Sequence, residues 1–120
     1  PKALYDKIDD VVNAVKDHHP RIGACVDTGH FLRSQENPVT AVEKLKGRVF
    51  GVHLKDVKDA KVFKILGEGD LDLVGLLKLL KAQNYQHVLA LEYEEHPNDV
   101  IPDIELCLRN LRAAFAKVAA

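Results

Sequence analysis

At 120 residues, 47% hydrophobic and 29% charged, the chain has the composition of one ordinary globular domain and is too short for two. Its 17 basic and 18 acidic residues leave a formal charge of −1 with mixed signs, which gives neither nucleic acid nor an anionic membrane a reason to bind. No apolar run approaches the length of a membrane span and Pro1-Lys2-Ala3-Leu4-Tyr5-Asp6 has no signal-peptide character, so the expected compartment is the cytoplasm.

Leu4, Ile8, Val11, Val12 and Val15 recur at helical spacing and predict a first helix. It should end near His18-His19-Pro20, because Pro20 disfavours helical geometry in the residue before it. The paired histidines fit a solvated helix end better than a metal site. A first strand follows from Ile22 to Val26, and Asp27-Thr28-Gly29-His30 reads as a polar turn after it. Asn37-Pro38 predicts a helix start, with Ala41, Val42 and Leu45 as its apolar stripe and Gly47 as its C-cap.

The second strand spans Val49 to Leu54 and enters a charged loop that lasts through Lys64. Gly67-Glu68-Gly69-Asp70 reads as a turn whose glycines are also suited to cradling an oxyanion. Asp72 then caps a helix of Leu73, Leu76, Leu77 and Leu80. The third strand runs from Val88 to Glu92. Pro97 opens a last helix, with Val100, Ile104, Cys107, Leu108, Leu111 and Phe115 in phase. Cys25 and Cys107 read as small buried hydrophobes in a reducing compartment.

A helix followed by three strand–helix units predicts an α/β protein with parallel strands and right-handed crossovers. Three strands cannot close a barrel that typically needs about 250 residues, so residues 1–120 form a single domain that is either a small open α/β layer or a piece of something larger.

The strand ends carry the chemistry. Side chains alternate faces along a strand, so Asp27 shares a face with Cys25 and Gly23, His53 with Gly51 and Val49, and Glu92 with Ala90 and Val88. The other face holds Ile22, Ala24 and Val26, then Phe50, Val52 and Leu54, then Leu89 and Leu91, and is suited to packing under helices. Ligands of parallel α/β proteins collect at the carboxyl edge of the strands, where Asp27, His53 and Glu92 would converge.

Val26-Asp27-Thr28-Gly29-His30, His53-Leu54-Lys55-Asp56, Leu66-Gly67-Glu68-Gly69-Asp70 and Leu91-Glu92-Tyr93-Glu94 together resemble the second half of the xylose-isomerase-like barrels. That superfamily includes sugar-phosphate isomerases and epimerases, inosose dehydratases and type IV endonucleases. The resemblance implies the C-terminal half of a (β/α)8 TIM barrel, with three strands and about four helices. It implies a divalent metal, Mn favoured over Zn, Co or Mg, held by Asp27, His53 and Glu92. The family's first glutamate ligand falls on a strand upstream of Pro1. His30 corresponds to a substrate-contacting histidine with a catalytic part. A metal-bound carboxylate such as Glu92 is suited to removing a proton beside a carbonyl. Lys55, two residues past His53 on the same face, is either a contact for an anionic substrate or a surface lysine, and Glu68 in its glycine turn is a further candidate for substrate contact.

The activity implied is isomerase or epimerase chemistry through an enediolate on a small sugar or polyol, in a carbohydrate-metabolising enzyme. The expected partner is a second copy or a complementing barrel half, since bare strand edges and a small-residue face need cover. Two rival readings are a non-catalytic half-barrel scaffold and a DNA repair enzyme like the type IV endonucleases. The latter is disfavoured by the near-neutral charge and by the lack of a histidine between His53 and Gly67.

Overall fold

Three short apolar segments pair as parallel strands because the connections between them return through helical crossovers. The computed structural model describes residues 4–120; Pro1, Lys2 and Ala3, included above in the reading of the amino-terminal segment, lie outside them. Helix α1 (Ile8–Val15) precedes β1 (Ala24–Asp27), a short α2 (Thr28–Arg33) and α3 (Pro38–Lys44). Strand β2 (Val49–Leu54) leads into a hairpin, β3 (Asp56–Lys58) with β4 (Val62–Lys64), then α4 (Leu73–Ala82), β5 (Leu89–Leu91) and α5 (Ile101–Ala119).

The main sheet has the order β1-β2-β5, all parallel, and β3 pairs with β4 antiparallel. The α/β class, the parallel strands and the crossover helices are as expected from the sequence. The chain is a partial barrel, and among the described residues no strand covers the outer edge of β1 or of β5. No helix among the described residues is long and apolar enough to cross a membrane.

Capping follows the predicted residues at two helices. Asn37 Oδ1 accepts the Val39 N–H at 2.9 Å with Pro38 at the first helical position, and Asp72 Oδ1 accepts the Gly75 N–H at 2.9 Å. Gly47, at φ +80°, ends the α3 segment in the left-handed conformation that glycine adopts most cheaply. Val26, Val42, Leu45, Val52, Leu54 and Leu76 lie at the centre of the core, between the sheet and its helices. Burying each such side chain contributes roughly 1.5–3 kcal/mol.

Several expectations need correction. Five helices form rather than about four, because Asp27 caps α2 where a plain turn was expected. The charged loop after β2 folds into the β3–β4 hairpin. Strand β1 starts at Ala24, leaving Ile22 half exposed, and α5 starts at Ile101, with Pro97 in the turn before it. Phe50 is not on the helix-covered face. A register shift between the Ala24–Val49 and Cys25–Gly51 pairs buries Val49 and turns Phe50 outward, its ring edge-on to His87 at 5.4 Å. Cys107 is buried as expected, whereas Cys25, on the uncovered face, is exposed.

Candidate metal centre

Register brings the strand ends together. Asp27 pairs with His53 across β1 and β2, and His53 pairs with Ala90 across β2 and β5, so Glu92 lies one pleat further along on the same face as Ala90. The Glu92 N–H still donates to Leu54 O at 3.0 Å, which keeps the chain in ladder geometry through that residue. His53 Nδ1 then lies 3.6 Å from Asp27 Oδ2 and 3.3 Å from Glu92 Oε2. One ligand atom from each of the three side chains falls within 4.8 Å of the others, and among the described residues no other three such groups meet. Two carboxylates and one imidazole make a hard, oxygen-rich donor set that fits a divalent cation such as Mn, Mg, Co or Zn.

The surroundings tune these groups. Lys55 Nζ donates to Glu92 Oε1 at 2.9 Å and to Glu94 Oε1 at 2.7 Å. The hydrogen bond from Lys55 is the main reason the Glu92 carboxyl titrates below its ordinary range. Burial is the largest single influence on Lys55 and disfavours its charge, but the bonds to Glu94 and Glu92 together outweigh it and raise its pKa. Thr28, fully buried at the start of α2, locks the end of β2: its hydroxyl donates to Lys55 O at 2.7 Å and accepts the Lys55 N–H at 2.8 Å.

A sequence profile of the xylose isomerase-like TIM barrel matches residues 3–113. The chain belongs to this family. An inosose dehydratase of Clostridium botulinum is 32% identical over 94 residues, covering 63% of this chain and 32% of that protein. Among solved structures, a xylose isomerase domain protein from Planctomyces limnophilus superposes with a TM-score of 0.79 at 24% identity, over 98% of this chain and 46% of that one. At that identity it shows the fold. A D-tagatose 3-epimerase-like protein gives a TM-score of 0.72 at 26% identity, over 97% and 45%. The chain thus spans about a third of the curated relative's length and under half of the solved neighbours'.

The other residues singled out in the sequence are placed as follows. His30 is exposed on α2, directly after the Asp27 cap, and lines a depression of about 500 Å³ with Asp27, Phe31 and Arg33. Lys55 is at the triad, but its ammonium is engaged by two carboxylates. Glu68 is exposed and lines a separate depression with Asn110 and Lys117; among the described residues no hydrogen bond joins it to the triad. The glycines beside it cradle the protein's own carboxylate. The N–H groups of Gly67 and Gly69 donate to Asp56 Oδ2 at 2.9 and 3.1 Å, while those of Val57 and Leu71 donate to Oδ1.

The sequence reading assigned no role to Asp56, Thr28 or Phe63. An acid directly after an expected strand, followed by a Gly-x-Gly turn, was the available signal for Asp56. Nothing local marked Phe63, whose ring lies beneath Lys55 Nζ at 4.5 Å to the centroid.

Proposed function

We propose that this sequence forms part of the active site of a divalent-metal-dependent enzyme that moves a proton beside the carbonyl of a small sugar or polyol. The observation that carries this reading is the convergence of Asp27, His53 and Glu92 at the carboxyl edge of a sheet belonging to the xylose isomerase-like family. Asp27 Oδ2, His53 and Glu92 Oε2 would hold the cation. When bound, it would polarise the substrate carbonyl and the adjacent hydroxyl and so stabilise an enediolate.

In this reading Glu92 also takes the carbon-bound proton. Lys55 keeps Glu92 ionised, at some cost in basicity, and the second lone pair of Oε1 is left to accept that proton. The C–H electron pair moves into the new carbon–carbon double bond, and returning the proton to the neighbouring carbon, or to the opposite face of the same one, gives an isomer or an epimer. His30, exposed beside Asp27, is positioned to donate to a substrate oxygen. The resemblance places a second acid–base glutamate outside this sequence, so the isolated chain is expected to be far slower than the whole barrel. Loss of such a proton-transfer partner typically costs about 10²–10⁴ in rate.

The match to an inosose dehydratase favours a second outcome from the same first step. After proton removal, a hydroxyl on the carbon beyond can leave, taking a proton to become water. One experiment separates the two. The intact barrel carrying this sequence is given Mn and a panel of ketoses and keto-polyols in deuterated water. Deuterium fixed at carbon in a product that has lost no water supports isomerase or epimerase chemistry, and a product lighter by one water supports dehydration. Glu92→Gln should abolish both. No uptake and no water loss with any substrate, or a Glu92→Gln variant as fast as the parent, overturns the enzymatic reading.

A further inference from the structure

The two oxygens of Glu92 face different partners. Oε2 lies 3.3 Å from His53 Nδ1 inside the triad, whereas Oε1 accepts from Lys55 Nζ at 2.9 Å. Resting on the metal reading above, we propose that Lys55 is a positioning residue that makes the centre select small divalent cations over calcium, by occupying Glu92 Oε1 and leaving a single oxygen for the metal.

Lys55 is built into its place. Its side chain is 11% exposed, unlike an ordinary surface lysine. Its stem runs over Gly29 at the start of α2, where any β-carbon would lie 2.9 Å from Lys55 Cγ and Cδ. Its ammonium is bracketed by the Phe63 ring at 4.5 Å and by Glu94 Oε1 at 2.7 Å, and Thr28 holds its backbone on both sides. A side chain confined this way has lost its rotamer freedom on folding, so its hold on Glu92 costs little further entropy.

The consequence for ion choice follows from coordination habits. Calcium takes about 6–8 oxygens and draws on carboxylates in bidentate fashion, while Mg-sized ions keep a tighter octahedral shell with carboxylates bound through one oxygen. A Glu92 with Oε1 already taken meets the second requirement and fails the first. Phe63 and Gly29 thereby acquire a role at the centre without touching it.

The test uses the full chain and measures Mn²⁺ and Ca²⁺ affinity by calorimetry and by displacement of Mn²⁺ followed by electron paramagnetic resonance. Removing a lysine charge strengthens attraction for both dications alike, so the ratio of the two affinities isolates geometry from charge. Lys55→Met should shift that ratio toward calcium by about tenfold, the lower end of what changes in outer-shell partners of metal ligands produce. Glu94→Gln leaves the Lys55–Glu92 bond in place and should keep the parent's ratio. If Lys55→Met melts well below the parent, Lys55→Leu, which likewise lacks a donor for Glu92 Oε1, is used in its place. An unchanged ratio in a folded Lys55 variant, or an equal shift in Glu94→Gln, overturns the proposal while leaving the metal reading intact. A parent chain that binds neither ion overturns both.

Discussion

Asp27 caps the helix that presents His30. Its Oδ1 accepts the His30 backbone N–H at 3.0 Å, which leaves Oδ2 to face His53. One carboxylate thus ends β1, starts α2 and supplies the triad. Its two duties are separable, because asparagine caps helices about as well as aspartate. Asp27→Asn should keep the parent's stability, and Asp27→Ala should lose about 1 kcal/mol. Both should weaken Mn²⁺ binding by at least about tenfold. Urea unfolding and calorimetry measure the two effects independently.

Asp56 opens β3, and its carboxylate works inward. It is fully buried, and its two oxygens receive four backbone N–H groups, three of them from the Gly67–Leu71 loop. Asp56→Ala would strand those donors without water, and Asp56→Asn would turn an amide NH₂ toward some of them. Each change should cost about 3–5 kcal/mol, since several charge-assisted bonds fail together. Hydrogen exchange at the Gly67, Gly69 and Leu71 amides should accelerate in whatever fraction remains folded. Unchanged protection there would contradict the role assigned to Asp56.

At the opposite edge of the sheet, Arg48 gathers the turn between α1 and β1. Its guanidinium donates to the carbonyls of His19 and Ile22 through one nitrogen and to those of Lys16 and His18 through the other. A lysine has the charge but not the planar fork that reaches four acceptors. Arg48→Ala should therefore destabilise the chain by about 2–3 kcal/mol, with Arg48→Lys recovering less than half of the loss. Because this face is remote from the triad, Mn²⁺ affinity should not change in either variant.

The loop after β5 is fastened through one oxygen. Asp103 Oδ2 accepts from Tyr93 Oη at 2.7 Å and lies 2.7 Å from His96 Nδ1. Burial, with Asp103 nearby, pushes the Tyr93 phenol up to about 12. Asp103 raises His96 above its ordinary 6.5, and Tyr93, then His96, lowers Asp103 below 3.8. The His96 contribution to stability is complete below 6.5 and fades as pH rises through its higher folded value. The Asp103 contribution is complete above 3.8 and fades as pH falls through its lower folded value. The pair therefore acts most fully between those limits. His96→Ala should destabilise at about pH 5–6 and have no effect at about pH 9. In the parent, the His96 ring followed by NMR should titrate above 6.5, and Asp103→Asn should bring it back toward that value.

Much of this molecule was legible along the chain. Val49 to Leu54 reads as a strand from composition alone, and the parity that puts Asp27, His53 and Glu92 on one face is a property of any extended backbone. Asn37 and Asp72 cap as read, because a cap answers to N–H groups only two or three residues away. The family was legible too, since its motifs lie at strand ends in a fixed order.

Tertiary structure decided the rest. The shift that turns Phe50 out and buries Val49 depends on how β1 and β2 pair, which alternation within one strand does not encode. Cys25 and Cys107 read alike as small apolar residues, yet one is exposed and the other buried, because burial depends on whether a helix covers that face. The carboxylate in the glycine cradle comes from Asp56, 11 and 13 residues before the glycines that hold it. The partners of Lys55 lie 37 and 39 residues away. Periodicity and capping are short-range properties of the backbone, so sequence alone could specify them. Which carboxylate meets Lys55, and which of its oxygens is left for a metal, is set by strand register and by the path of the β3–β4 hairpin, and those exist only once the chain has packed.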